Sequence, residues 1–275
     1  MKDRISVIIP TFNRASVLLR AVDSVLNQTY RDIELIVVDD GSTDDTEKLL
    51  APYIETQTIQ YFKTQNKGVS ASRNFGVTQA REKWIAFLDS DDEWLSPKLA
   101  KQMAFLEAHA HLSIVYSDEM WIRNDILVNK KNHHQKKGGW IFTDSLKQCL
   151  IGPSSVLLTK KLFAEMKGFD ESFVVCEDYD LWLKISSKYE IGYMSEALIK
   201  KFGGHADQLS TRFVAMDRWR IKSMQNILRD KTLSAENRAN VIAMMKEKGQ
   251  ILLKGYIKHG NQEAAHELEQ ILAQF

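Results

Sequence analysis

Short β-branched runs alternate with segments of helical period through about the first hundred residues. "ISVIIP", Ile5 to Pro10, reads as a buried strand stopped by proline. "RASVLLRAVDSVLNQ" then carries Val17, Leu18, Ala21, Val22, Val25 and Leu26 at helical spacing. "IELIVVDDGS" is a second strand, ending on two aspartates and a glycine. "STDDTEKLLAPY" reads as a helix whose acidic first turn suits the helix dipole. "IQYFK" is a third strand, "GVSASRNFGVTQA" a helix and "WIAFLDSDDEW" a fourth strand. Ser96 is expected to cap the next helix, with Pro97 at its first position. This alternation predicts an α/β fold with a parallel sheet. Such sheets bind ligands beyond the carboxyl ends of their strands. Three strands end in polar residues at that edge: "PTFNR", "DDGS" and "DSDDEW".

The fourth strand poses an electrostatic problem. The apolar run Ile85 to Leu88 leads straight into Asp89, Ser90, Asp91, Asp92 and Glu93. These carboxylates repel one another unless a positive charge sits among them. An Asp-x-Asp at a strand end offers two oxygen ligands to a hard divalent cation, whose other positions phosphate and water fill. The other reading is a solvated acidic turn. Phosphatases of the haloacid dehalogenase type also carry Asp-x-Asp, but on their first strand and with Thr or Val where Glu93 stands here. "VVDDGSTDDT" has two readings as well. Ser42 or Thr43 caps the following helix, or Asp40 accepts a hydrogen bond from a base N–H. A carboxylate only accepts, so it selects a uracil or thymine imide over unprotonated cytosine N3. The chain has no Gly-rich lysine loop and no Gly-x-Gly-x-x-Gly, so ATPase and dinucleotide readings lack support.

The middle of the chain is less regular. "SIVYSDEMWI" predicts a strand running into a hairpin, "SSVLLT" a strand and "EDYDLWLKISSK" a helix. Residues 129–139 form a basic, turn-rich loop. There His133 and His134 lie beside Lys130, Lys131, Lys136 and Lys137, and a surface loop is favoured over a metal or anionic-lipid site. From Phe213 to Phe275 only helix-like segments occur, without proline. The chain therefore divides into 1–212, an α/β domain, and 213–275, a helical appendage. That appendage has three candidate contacts: the first domain, a second copy in a homodimer, or a membrane surface.

Composition narrows the partners. Of 275 residues 44% are hydrophobic, enough for a sizeable core, and the formal net charge of +1 gives no global field for nucleic acid. Two cysteines, Cys149 and Cys176, provide no disulfide framework and no cysteine-based zinc site. The N-terminus lacks the apolar core of a signal peptide, and no run reaches the ~20 apolar residues of a membrane span. A cytoplasmic protein is expected, with peripheral contact at the inner face of the membrane as a variant.

Five motifs occur in order: "VIIPTFNR", "LIVVDDGSTDDT", "NKGVSASRNFGV", "WIAFLDSDDEW" and "EDYDLWLKI". Together they resemble the family 2 inverting glycosyltransferases of GT-A fold, over roughly Ile5 to Ser210. The resemblance implies a mainly parallel Rossmann-like sheet and transfer of a sugar from a nucleotide diphosphate, foremost a UDP-sugar, to an acceptor hydroxyl. It implies that Pro10, Thr11, Phe12 and Arg14 line the nucleotide pocket, that Asp40 reads the uracil imide and that Arg73 lies near the nucleotide. It implies that Asp89, Ser90 and Asp91 hold the nucleotide and a Mn²⁺ or Mg²⁺ ion, with Asp91 the direct ligand and His205 a further one. His205 has an equal alternative as a loop residue. Asp178 matches the catalytic base, with Glu177 and Asp180 on the acceptor side. The acceptor is a saccharide or lipid-linked sugar of bacterial polysaccharide or glycolipid assembly. Two other functions are weighed. A sugar-phosphate nucleotidyltransferase needs a Gly-rich basic loop that "PTFNRAS" does not supply. A non-catalytic binding relative would not need Asp178.

Overall fold

The computed structural model describes residues 3–124, 126–128, 135–204 and 215–275. Its centre is a nine-stranded sheet in the order β3-β2-β1-β4-β8-β6-β9-β5, with β7 paired to β6. Strands β1 (Ile5–Thr11), β2 (Ile33–Asp39), β3 (Gln60–Lys63) and β4 (Trp84–Phe87) are mutually parallel, as the alternation predicts. Helices α1 (Ala15–Leu26), α2 (Thr46–Glu55) and α3 (Val69–Gln79) connect them.

The second half of the sheet is mixed. Strand β8 (Val156–Thr159) pairs antiparallel with both β4 and β6 (Ile114–Arg123). Strand β6 therefore runs in the same direction as β4. Its continuation β7 (Ile126–Val128) folds back as the expected hairpin. Strand β9 (Gly192–Gly203) lies parallel to β6 and antiparallel to the short β5 (Glu93–Trp94). The twelve residues of β9 were not read as a strand from sequence, because "GYMSEALIKKFG" has no clean alternation. The carboxyl ends of β1, β4, β6 and β9 thus share one edge.

Both faces of the sheet are buried. Ile5, Val7 and Ile9 of β1 pack in one core with Leu18, Val22 and Val25 of α1 and with Leu99 and Met103 of α4 (Lys98–Ala108). Ile8, Ile36 and Phe87 face a second core with Val77, Phe169 and Trp182. Complete burial of such side chains contributes about 1.5–3 kcal/mol each. Two expected caps differ. Helix α4 starts at Lys98 with Pro97 at its cap and no side-chain cap bond, while the Ser96 carbonyl takes the Thr29 N–H. Before α2, neither Ser42 nor Thr43 caps; Asp44 accepts from the Thr46 N–H at 3.1 Å.

Further α-helices among the described residues are α5 (Phe142–Lys147), α6 (Lys160–Glu165) and α7 (Glu177–Ser186), followed by α8 (Asp217–Leu228), α9 (Ala235–Lys258) and α10 (Gln262–Leu272). The last three are the helical stretch read from the sequence; the boundary at 212/213 lies outside the described residues. Their apolar sides pack onto α5 and α7: Ile221, Met224, Val241 and Met245 share a core with Phe142, Leu146, Tyr179 and Leu183. No described helix is long and apolar enough to cross a membrane. Met224 is fully buried in that shared core, so Met224→Ala should cost about 2–5 kcal/mol. Urea unfolding followed by circular dichroism should show one transition at a lower midpoint; two separate transitions would mean that the three helices form an independent unit.

Candidate active site

The strand order reverses between β1 and β4: the chain steps outward from β1 to β2 and β3, then returns to β1's other side. Loops leaving such a switch point diverge and open a crevice at the carboxyl edge. Two of its loops are locked together. The Asn13 N–H donates to Ser42 Oγ at 2.8 Å and the Thr43 N–H to Asn13 Oδ1 at 2.8 Å. Asn13 has φ 51°, a left-handed conformation that Asn tolerates better than most residues. Pro10 and Thr11 are buried beneath these loops, Arg14 is half-buried, and Phe12 stands 44% exposed at the rim.

Asp40 is nearly inaccessible, and each carboxylate oxygen already accepts one backbone N–H: Lys67 at 2.9 Å and Gly68 at 2.8 Å. It therefore fixes the turn that launches α3, work that the sequence did not reveal. Asp39 is likewise engaged, by the Ser42 N–H at 2.7 Å and the Tyr61 hydroxyl at 2.6 Å.

Helix α3 carries the central charge of the crevice. A Cβ on Gly76 would stand 2.4 Å from Ile8 Cγ2, so only glycine lets α3 lie this close to β1. One turn earlier, Arg73 reaches over the strand ends. Its Nη2 donates to Asp89 Oδ1 and its Nη1 to Glu177 Oε1, both at 2.7 Å. Arg73 is 4% exposed, and its guanidinium lies 5.1 Å from the centroid of the Phe169 ring. Burial opposes its charge, but Asp89 and Glu177 more than compensate and hold it firmly cationic. Glu177 is pushed up by burial and by Asp178, against the pull of Arg73.

The loop before α7 is pinned by α3. Asn74 Nδ2 donates to the Phe169 carbonyl at 2.8 Å, and the Phe169 N–H donates to Asn74 Oδ1 at 3.0 Å. Cys176 then adopts φ 63°, ψ 19° at the helix start, a backbone strain of the kind that clusters at functional sites. The first turn holds Glu177, Asp178 and Asp180, at the positive end of the helix dipole. Asp178 is half-buried; its Oδ1 accepts from the Tyr179 N–H at 2.7 Å, and its Oδ2 is 3.5 Å from the Cys149 thiol, a weak donor. Asp180 points inward, 1% exposed, and pairs with Lys184 at 2.5 Å.

The acidic turn after β4 is stitched to the other half of the sheet. Ser154 Oγ donates to Asp92 Oδ2 at 2.7 Å and accepts from the Asp89 N–H at 3.1 Å. Burial pushes the Asp92 carboxyl well above the usual range, opposed by Lys201 and Ser154 and reinforced by Asp89 and Asp91. Arg20 Nη2 donates to the Asp91 carbonyl at 2.5 Å, and Ser90 is buried. Glu119 of β6 is buried as well. It pairs with Lys136 at 2.8 Å and accepts from Trp121 Nε1 at 2.8 Å. Burial would raise its carboxyl, but Lys201 and Lys136 bring it down to about 2.

The structure thus brings Arg73, Asp89 and Glu177 into direct contact, with Asp178 beside Glu177. The positive charge that the acidic strand end requires comes from within the chain, from Arg73 and Lys201. Sequence reading placed Asp92 in the acidic turn but missed Lys201, Cys149, Glu119 and Ser154 as members of this cluster. Lys201 sat in an unread strand, and nothing local marked the others. Among the described residues no three His, Cys, Asp or Glu side chains converge as a metal site. His205, like His133 and His134, lies outside the described residues.

Residues 6–159 match the model of glycosyl transferase family 2. The chain belongs to glycosyl transferase family 2. Among its relatives is an uncharacterized glycosyltransferase of Rickettsia conorii, 36% identical over 203 residues that make up 72% of this chain and 32% of the relative. The chain thus spans about a third of that relative's length. The UDP-Glc:alpha-D-GlcNAc-diphosphoundecaprenol beta-1,3-glucosyltransferase WfaP of Escherichia coli is 33% identical over 184 residues, 67% of this chain and 70% of WfaP. The structure of S. aureus TarS 1–349 in complex with UDP-GlcNAc superimposes with a TM-score of 0.70 at 18% identity, covering 98% of this chain and 92% of that one. This family 2 chain therefore has the GT-A fold, with a mixed sheet flanked by helices.

Removing Arg73 leaves two carboxylates without their partner. Arg73→Met should destabilise the protein by about 3–5 kcal/mol, the usual cost of breaking a buried pair from one side, measured by urea denaturation at pH 7. Glu119 yields a pH signature. Its folded pKa of about 2 lies below its ordinary 4.5, so its contribution is complete above pH 4.5 and disappears as pH falls toward 2. The stability gap between the original protein and Glu119→Gln should shrink by about 3 kcal/mol across that window, read from denaturation curves at a series of pH values.

Proposed function

We propose that this chain transfers a sugar from a UDP-sugar to an acceptor hydroxyl, with inversion at the anomeric carbon, in the assembly of a bacterial polysaccharide or glycolipid. The observation that carries the reading is the Arg73 bridge. It ties the end of β4, on the nucleotide side, to the first turn of α7, which presents Asp178. Support for the donor and acceptor comes from the relatives' names: WfaP is named for a UDP-sugar donor and a lipid-diphosphate-linked acceptor, and TarS is a UDP-GlcNAc complex.

In this reading Pro10, Thr11, Phe12 and Arg14 line the nucleotide pocket. Asp40 acts on the base through the loop it organises and through whatever acceptor capacity its two backbone bonds leave. Asp178 takes the proton of the acceptor hydroxyl as its oxygen attacks the anomeric carbon, while the diphosphate departs from the opposite face. A base so placed is worth ~10²–10⁴-fold. Glu177 keeps Arg73 in position and Asp180 holds α7 through Lys184, so both support the acceptor side indirectly.

Asp89 and Asp91 also fit a divalent cation. Asp89 has one oxygen on Arg73 and a second that takes no bond from the described residues, its side chain is 28% exposed, and hard oxygen donors suit Mg²⁺ or Mn²⁺. Such a cation uses only one or two protein carboxylates when phosphate and water complete its shell. When bound, it would supply Lewis-acid neutralisation of the departing diphosphate.

Asp178→Asn keeps the shape of the side chain and removes its basicity. It should lower the rate of transfer by at least 100-fold while UDP affinity, measured by calorimetry, stays within twofold. NMR of the product linkage should show inversion. An Asn variant of near-original rate, or a retained anomeric configuration, would overturn the assignment of the base.

A further inference from the structure

We propose that Lys201 is a phosphate-binding residue of this cleft. The inference rests on the glycosyltransferase reading and adds a residue to it. Lys201 lies near the carboxyl end of β9, opposite Trp121 of β6, on the same sheet edge as the acidic turn. Its Nζ is 3.3 Å from the point where a Cβ on Gly152 would stand, and Glu119 Oε2 is 3.6 Å from that point. Glu119 already has Lys136 at 2.8 Å and the Trp121 indole at 2.8 Å. Glu119 therefore faces two lysines, and it is Lys136 that closes on it as a salt bridge.

The two lysines differ in access. Lys136 is sealed inside, its side chain 7% exposed, whereas Lys201 is half-buried. Arg73, a further cation of the cleft, has two of its nitrogens committed to Asp89 and Glu177. The absence of a side chain at Gly152 leaves one approach to the Lys201 ammonium uncovered. Glu119 first, against opposing burial, and then Asp92, Asp89 and Asp178 hold that ammonium charged. A nucleoside diphosphate entering a cleft lined by Asp89, Asp91 and Asp178 needs a cation to meet it. An ammonium with three rotatable donors provides a point charge for phosphate oxygens. The same chemistry serves either the donor's diphosphate or a phosphate on the acceptor.

Calorimetry with UDP and with uridine, together with steady-state KM values, tests this in the whole chain. The variants are Lys201→Gln, Lys201→Arg and Gly152→Ala. Two acceptors are compared, a sugar on a lipid diphosphate and the same sugar as an alkyl glycoside. If Lys201 meets the donor, Lys201→Gln weakens UDP about tenfold, leaves uridine unchanged, and is largely rescued by Lys201→Arg. If it meets the acceptor, UDP affinity is unchanged and KM rises about tenfold for the diphosphate acceptor alone. Gly152→Ala covers the ammonium without removing it and should reproduce the same loss, so the test stands even if Lys201→Gln fails to fold. Unchanged UDP and acceptor parameters in these variants, with or without a lower Tm, would make Lys201 only a structural partner of Glu119 and overturn the inference. Equal losses for UDP and uridine would overturn it too. Original protein that binds UDP and transfers sugar while the variants match it overturns this inference alone. Original protein that binds no nucleoside diphosphate overturns the proposed function, and this with it.

Discussion

The Arg73 guanidinium joins two parts of the chain that sequence keeps far apart: the acidic turn after β4 and the first turn of α7. Both of its ion pairs measure 2.7 Å, and the group is almost wholly buried. A buried ion pair of this kind adds little stability over an apolar substitute, because desolvation cancels much of the attraction. What it contributes is position. A planar fork with fixed donor directions allows one relative placement of Asp89 and Glu177, and a lysine would not. Everything near the cleft's centre is built to support that placement. Gly76 lets α3 approach β1, Asp40 fixes the turn before α3, and Asn74 ties the Phe169 loop to the same helix.

Charge balance organises the rest of the site. Asp89, Asp92, Glu119, Glu177 and Asp178 are gathered at one sheet edge, and Arg73, Lys136 and Lys201 are interleaved with them. Burial relieves part of the remaining repulsion by pushing the Asp92 carboxyl toward its neutral form, against Lys201 and the hydrogen bond that Ser154 donates. A divalent cation at Asp89 and Asp91 would thus join a cleft whose carboxylates are already partly compensated. Its charge would be directed at a substrate's phosphates more than at the protein's own repulsion.

The C-terminal helices belong to the same mechanical unit. Their apolar residues share a core with α5 and α7, and Lys222 Nζ reaches the Ser172 carbonyl at 3.0 Å on the loop that leads to Asp178. The strained Cys176 backbone persists because that loop is held from both sides, by Asn74 on α3 and by α8. A stretch that reads from sequence as an appendage therefore buttresses the helix carrying the candidate base.

The sequence by itself determined the parallel half of the sheet, its helices and the polar strand ends. Those features are local: apolar period, proline stops and acidic helix starts act within a few residues. It also marked Asp89, Asp91, Arg73 and Asp178 as the positions to watch. Tertiary structure alone decided which charges meet. Arg73 is 104 residues from Glu177, and no periodicity encodes that pairing. Strand β9 escaped notice because its bulged register against β6 blurs the alternation, and Lys201 was missed with it. The turn-fixing bonds of Asp40 were not legible because a sequence shows a carboxylate but not the backbone N–H groups folded onto it. Local propensity is written residue by residue, whereas the partners of a buried charge are set by how distant segments pack.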